Sequence, residues 1–116
     1  MPDTDAIRAY YEYVDAGAID DLVALFADDI VYERPGHAAI EGIADFRRFY
    51  EEERPIGESN HAVDQLYVDG ETVIVRGRFE GTLAGEAVAF GFADFHRFNG
   101  DGEIEHRWTY TDLGTV

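Results

Sequence analysis

From His61 to Asp112 the chain is almost nothing but strand signal, and this half constrains the fold most. Period-two segments run over His61 to Asp69, Thr72 to Leu83, Glu86 to Phe98 and Glu103 to Asp112. The joins are Asp69-Gly70, Ala84-Gly85 and Asn99-Gly100-Asp101-Gly102. Each is short and carries glycine, as antiparallel hairpins require. A meander of long strands has to bury one face, and the first half of the chain supplies the cover.

That first half reads as three helices and one short strand. Asp3 or Thr4 can cap a helix whose apolar residues Ile7, Tyr10, Tyr11 and Val14 fall on one face, with Gly17 as its stop. Ile19, Leu22, Val23 and Phe26 repeat the spacing in a second helix that ends at Asp28-Asp29. Ile30 to Glu33 reads as a strand stopped by Pro35-Gly36, and His37 to Gly42 as a loop. Ile43, Phe46, Phe49 and Tyr50 mark a third helix running through Glu51-Glu52-Glu53 and finished by Pro55 and Gly57. Helices first and a meander after is an α+β arrangement, and the 116 residues make one domain, 1–116, with no repeat or linker.

Charge narrows the partners. Twenty-five acidic residues face nine basic ones, a net of -16, and every basic residue is Arg. Such a surface repels itself at low salt and is relieved by screening. The expectation is a cytoplasmic protein of a salt-accumulating halophile. Nucleic acid and anionic membranes are disfavoured as partners. There is no Cys, no apolar run of about eighteen residues and no basic-then-apolar start. Disulfides, a membrane span and a signal peptide are therefore not expected.

The third strand, EAVAFGFADFHRF, carries the chemistry. Asp94 and His96 are two apart and share a face with Val88, Phe90, Phe92 and Phe98. A carboxylate and an imidazole in an apolar row are costly unless paired. Such a pair is either locked in a structural hydrogen bond or at work in a pocket. In the last strand, alternation groups Ile104, His106, Trp108 and Tyr110 against Glu105, Arg107, Thr109 and Thr111. Apolarity alone turns the first set inward. The second set faces inward if Trp108 and Tyr110 instead form a contact between two copies. The four His show no metal-ligand spacing, and there is no phosphate-cradling glycine motif or GxSxG elbow, so neither metal nor cofactor is expected.

The strings RAYYEYVDAGAIDDLVALFADDIVYERPG, GIADFRRFY and FADFHRFNGDGEI resemble the ketosteroid isomerase and SnoaL-like polyketide cyclase group of the nuclear-transport-factor-like superfamily. The resemblance spans nearly the whole chain. It implies a cystatin-like α+β cone, a strongly curved and mostly antiparallel sheet around three N-terminal helices, with a pocket at the wide end. It also implies a homodimer joined through the outer sheet face, with Arg107, Thr109 and Thr111 turned to the pocket. In the isomerases a Tyr of the first helix and a protonated Asp form an oxyanion hole. Tyr10 and Asp94 match those positions. The isomerase base, an Asp before a Pro, is here Arg34 before Pro35, and a guanidinium cannot accept a proton. Steroid isomerisation is therefore not expected.

The expected site combines Tyr10, Asp94 and His96 as catalytic groups with Arg34, His37, Phe90, Phe92 and Arg107 around a small-molecule ligand. Arg34, if inward, is the cation that holds Asp94 ionised, and His96 acts as acid or base near neutral pH. His61 begins a strand and its side is open. The reaction expected is proton transfer on a mostly apolar carbonyl compound, as in isomerisation, cyclisation or dehydration. The alternatives are a non-catalytic binding module anchored by Arg34, and an epoxide hydrolase, which needs a second inward carboxylate from Asp112 or Asp64.

Overall fold

The structure, a computed structural model, describes residues 3–53 and 56–112. Helix α1, Thr4–Ala16, starts where the Asp3 side chain accepts the N–H groups of Asp5 and Ala6, at 3.0 and 3.2 Å. A cap of this kind contributes about 1 kcal/mol. The helix buries Ile7, Tyr10, Tyr11 and Val14, and Gly17 closes it at φ 69°, a left-handed turn that glycine adopts without strain.

Helix α2, Ile19–Val23, is shorter than its apolar spacing predicts. Phe26, expected as its last apolar residue, instead opens strand β1, Phe26–Glu33. The cause is tertiary. Ile104 donates its N–H to the Leu25 carbonyl at 3.0 Å, and Phe26 pairs with Ile104 in a parallel ladder. Asp28-Asp29 therefore lies inside a strand, exposed, where the ladder register shifts. The expected loop after Pro35 contains a two-residue strand β2, Ile40–Glu41, paired with Val31 and Tyr32.

Helix α3, Ile43–Arg48, runs on into a single π-helical turn, Phe49–Glu53. Its expected stop at Pro55 lies outside the described residues. Gly57 does not end it, because strand β3, Ile56–Asp69, has already begun five residues earlier than expected. Strands β4 (Thr72–Leu83) and β5 (Glu86–Phe98) match their expected limits, and β6 spans Ile104–Thr111.

The sheet order is β2-β1-β6-β5-β4-β3. Every neighbouring pair is antiparallel except β1 with β6, so the sheet is mixed. One face is buried: Val73, Val75 and Phe79 of β4, Phe92 and Phe98 of β5 and Ile104 of β6 join the α1 stripe in the core. Gly77 is required there. A Cβ on it would lie 2.3 Å from the Ala62 carbonyl oxygen and 2.8 Å from the Phe92 ring, so no side chain fits without moving backbone.

A bulge decides how β6 faces the core. Arg97 pairs with His106 but Phe98 pairs with Ile104, leaving Glu105 as the extra residue. Ile104 is therefore buried, while Glu105 pairs with the outward Arg97 at 2.9 Å. Strict alternation had grouped Ile104 with Trp108 and Tyr110; the bulge separates them. Arg107 and Thr109 turn inward, and Tyr110 is exposed. Among the described residues no helix is long and apolar enough to cross a membrane.

Candidate active site

Two strands and one helix converge on Asp94. It pairs with Thr109 across the β5–β6 ladder, and His96 pairs with Arg107 two residues on, so the strand register delivers all four side chains to one spot. Asp94 is 2% exposed, His96 0% and Arg107 3%. Tyr11 comes down from α1. Asp94 Oδ2 accepts from the Tyr11 hydroxyl at 2.6 Å and from Arg107 Nη2 at 2.8 Å. Its Oδ1 accepts from Thr109 Oγ1 at 2.7 Å.

The remaining protons follow from counting. Thr109 has given its proton to Asp94, so its oxygen accepts from the Tyr32 hydroxyl at 3.1 Å. Tyr11 has likewise spent its proton on Asp94. Its oxygen must then accept from His96 Nε2 at 3.1 Å, which puts the imidazole proton on Nε2. Nδ1 of His96 keeps its lone pair, buried and without a hydrogen-bond partner.

The Arg107 guanidinium is held between two rings, 4.5 Å above that of Tyr10 and 4.6 Å above that of Tyr32. Cation–π contact and the Asp94 carboxylate offset the cost of burying this charge. Burial is the largest single influence and works against the cation, but Asp94 together with Tyr10, Tyr32 and Tyr50 outweighs it and holds the Arg107 pKa above its ordinary value. Only Nη2 is hydrogen-bonded. Nε and Nη1 are buried with no partner. Burial and the neighbouring Arg107, against a smaller opposing pull from Asp94, bring His96 down to about 3. The ring is neutral at pH 7, so the imidazolium acid expected near neutrality is not present there. Burial raises both Tyr10 and Tyr11 well above the ordinary phenol value.

The expected residues are thus partly regrouped. Asp94, His96 and Arg107 come together. Tyr10 does not reach Asp94: its hydroxyl is hydrogen-bonded to that of Tyr50, and its ring lies under Arg107. Tyr11, one residue on along the same stripe, takes the place expected of it. The cation on Asp94 is Arg107, not Arg34. Arg34 instead lies over the Phe49 ring at 4.1 Å and, with exposed His37, lines a cleft of about 710 Å³ bounded by Ile40, Glu41 and Arg48. Phe49 joins the two regions, since its ring is 6.0 Å from that of Tyr32. Phe92 is buried 5.7 Å from the Tyr11 ring, and half-buried Phe90 packs on Phe79 at 4.9 Å.

The carboxylates proposed as a second acid beside Asp94 are engaged elsewhere. Asp112 accepts the Gly91 N–H at 3.0 Å, and Asp64 pairs with exposed Arg78 at 3.2 Å. Among the described residues no three His, Asp or Glu side chains group as metal ligands would. Sequence reasoning missed Tyr11 and Tyr32 as partners of the network, and turned Thr109 to the pocket through the family resemblance without giving it a role there. It also missed Asp15, whose only signal is its place one turn after Tyr11, and which accepts from His61 Nδ1 at 2.6 Å.

The sequence matches the SnoaL-like domain family over residues 7–107. No curated protein matches it significantly. Among solved structures, an NTF2-like protein of unknown function from Burkholderia pseudomallei aligns with a TM-score of 0.85 and 20% identity, over 94% of this chain and 89% of that one. An LEH-like epoxide hydrolase from Mycobacterium tuberculosis aligns at 0.82 and 20% identity, over 94% and 81%. A protein with a ketosteroid isomerase-like fold from Catenulispora acidiphila, solved with trimethylamine, aligns at 0.82 and 21% identity, over 96% and 88%. At these identities the likeness is one of fold. The family match covers most of the chain and agrees with three helices laid on a six-stranded mixed sheet: the chain belongs to the SnoaL-like domain family, with the NTF2-like, ketosteroid isomerase-like fold.

Proposed function

We propose that this domain binds a small, mostly apolar carbonyl compound and that Arg107 meets its oxygen. One observation carries the reading. Arg107 is buried between two tyrosine rings, yet two of its nitrogens have no hydrogen-bond partner. Buried donors in native proteins are nearly always satisfied, so an unsatisfied pair beside a catalytic-type cluster points to an absent acceptor. Asp94 and Arg107 already neutralise each other, which favours a neutral carbonyl oxygen over a second carboxylate. In this reading Asp94 positions Arg107, and Tyr10 and Tyr32 hold its plane. Phe92 and Phe49 supply the apolar wall, and Arg34 and His37 line the approach.

Thermal shift in molar salt against cyclic ketones, aromatic ketones and 2-oxo acids tests this. Neutral ketones are expected to raise Tm for the wild type and not for Arg107→Met. An equal shift in both proteins refutes the role of Arg107. The turnover expected is proton transfer on the bound carbonyl compound. A purely binding function is the second reading, favoured because both Asp94 oxygens and the Tyr11 proton are already engaged. Binding without conversion of any ligand supports it. The acidic surface fits a cytoplasm rich in salt, and the outer face bearing Trp108 and Tyr110 fits contact between two copies; sedimentation in molar salt tests the latter.

A further inference from the structure

Once the internal hydrogen bonds of the Asp94 cluster are drawn, the buried atoms left over are of opposite kinds. Arg107 Nε and Nη1 are donors without an acceptor, and His96 Nδ1 is an acceptor without a donor. Strand register sets the two side chains next to each other. His96 and Arg107 are partners across the β5–β6 ladder, and both are buried on its inner face. The Tyr10 ring lies against both, its centroid 4.5 Å from the guanidinium carbon and 5.6 Å from the imidazole centroid. The neighbouring acceptors are engaged. Asp94 Oδ1 takes the Thr109 proton, its Oδ2 takes those of Tyr11 and Arg107 Nη2, and the Tyr11 oxygen takes that of His96 Nε2.

We infer that His96 Nδ1 is a second binding point of this pocket and selects a ligand with a hydroxyl near its carbonyl, a hydroxy ketone. The inference rests on the carbonyl-binding reading above and narrows it. The ketone oxygen accepts from Arg107, and the ligand hydroxyl donates to Nδ1. Two neighbours fix the imidazole in the accepting role. Tyr11 holds the proton on Nε2, and burial with the adjacent Arg107 charge keeps a second proton off the ring.

The selection follows from what a plain ketone would leave behind. It would set hydrocarbon or a lone pair against Nδ1, and a buried acceptor without a donor is costly. A site built to bond a hydroxyl rejects the analogue lacking it far more strongly than an apolar pocket rejects an added one. A purely structural His96 accounts for half of the ring. Its bond to Tyr11 asks for a donor at Nε2 and makes no use of Nδ1. The competing occupant is a resident water, which would meet the same atoms whatever the ligand carries.

Calorimetric titration of the full chain in molar salt tests the selection. The probes are α-hydroxyacetophenone and β-hydroxypropiophenone, each set against its parent ketone and its O-methyl ether. At least one alcohol is expected to bind about tenfold or more tighter than both of its analogues, the worth of one well-made hydrogen bond. His96→Leu removes the acceptor and should abolish that preference while ketone binding persists. No preference for either alcohol in the wild type, or a preference that survives in His96→Leu, overturns the inference. If His96→Leu fails to fold, nitrogen NMR of the wild-type imidazole decides the point. The Nδ1 resonance should move on adding the alcohol and not on adding the parent ketone. A resonance indifferent to the alcohol, as a resident water would make it, also overturns the inference. Ketone binding that is lost in Arg107→Met yet ignores the hydroxyl sinks the His96 subsite alone, whereas binding indifferent to Arg107 sinks the site reading.

Discussion

Replacing Tyr11 by phenylalanine removes one oxygen that lies between two buried groups. In the wild type that oxygen gives its proton to Asp94 at 2.6 Å and receives one from His96 at 3.1 Å. The variant loses a hydrogen bond to a charged acceptor, about 1.5–3 kcal/mol, and leaves the His96 Nε2–H buried and unsatisfied, about 1–3 kcal/mol more. Asp94 keeps Arg107 and Thr109, so the ion pair survives and the loss is the sum of those two, about 2.5–6 kcal/mol. At roughly 4 °C or more per kcal/mol for a domain of this size, Tm should fall by about 10 °C or more. Tyr10→Phe is the internal control. It removes a hydroxyl bonded to another tyrosine and keeps the ring under Arg107, so it should cost only about 1 kcal/mol. Urea unfolding of both variants at pH 7 in molar salt measures the difference. Equal losses, or a larger loss for Tyr10→Phe, would refute the assignment of Tyr11 rather than Tyr10 as the partner of Asp94.

His96 should make the fold sensitive to acid. The folded ring stays neutral down to about pH 3 while the unfolded one protonates below its ordinary value of 6.5, so the unfolded chain binds the extra proton and stability falls as pH falls through that window. The slope approaches about 1.4 kcal/mol per pH unit, and His96→Gln should flatten it between pH 6.5 and 5, where carboxylates add little; parallel pH profiles for the two proteins contradict this. Gly77→Ala should destabilise by about 1–3 kcal/mol or more, since its Cβ meets backbone of β3 at 2.3 Å; a variant that melts with the wild type means the β3–β4 spacing is wrong. Raising salt from about 0.1 M to molar levels should raise Tm by screening the net charge of -16, most steeply at the low end, and a flat salt dependence counts against the self-repulsion argument.

Periodicity alone placed a good deal. The α1 stripe, the limits of β4 and β5, the hairpin joins and the sharing of one face by Asp94 and His96 all follow from residue spacing, because in a regular helix or strand the face of a side chain is fixed by counting. Counting failed where an element is held by a distant partner. Phe26 fits a helix by its spacing yet becomes strand because Ile104, far along the chain, pairs with it. One extra residue at Glu105 reverses the parity of Ile104 relative to Trp108 and Tyr110, and no local signal marks it.

The site divides in the same way. The sequence determined which residue types are available: an acid and an imidazole on one apolar strand face, a tyrosine pair on the first helix, arginines but no lysine, and no base before Pro35. Tertiary structure decided who meets whom. Adjacent tyrosines on a helix differ by about 100° in direction, so only the packing of α1 on β5 selects Tyr11 for Asp94 and leaves Tyr10 to Tyr50 and Arg107. The choice of Arg107 over Arg34 as counter-ion, and the meeting of Asp15 with His61 across 46 residues, rest on strand register and helix docking. These are long-range distances, and a one-dimensional pattern carries no term for them.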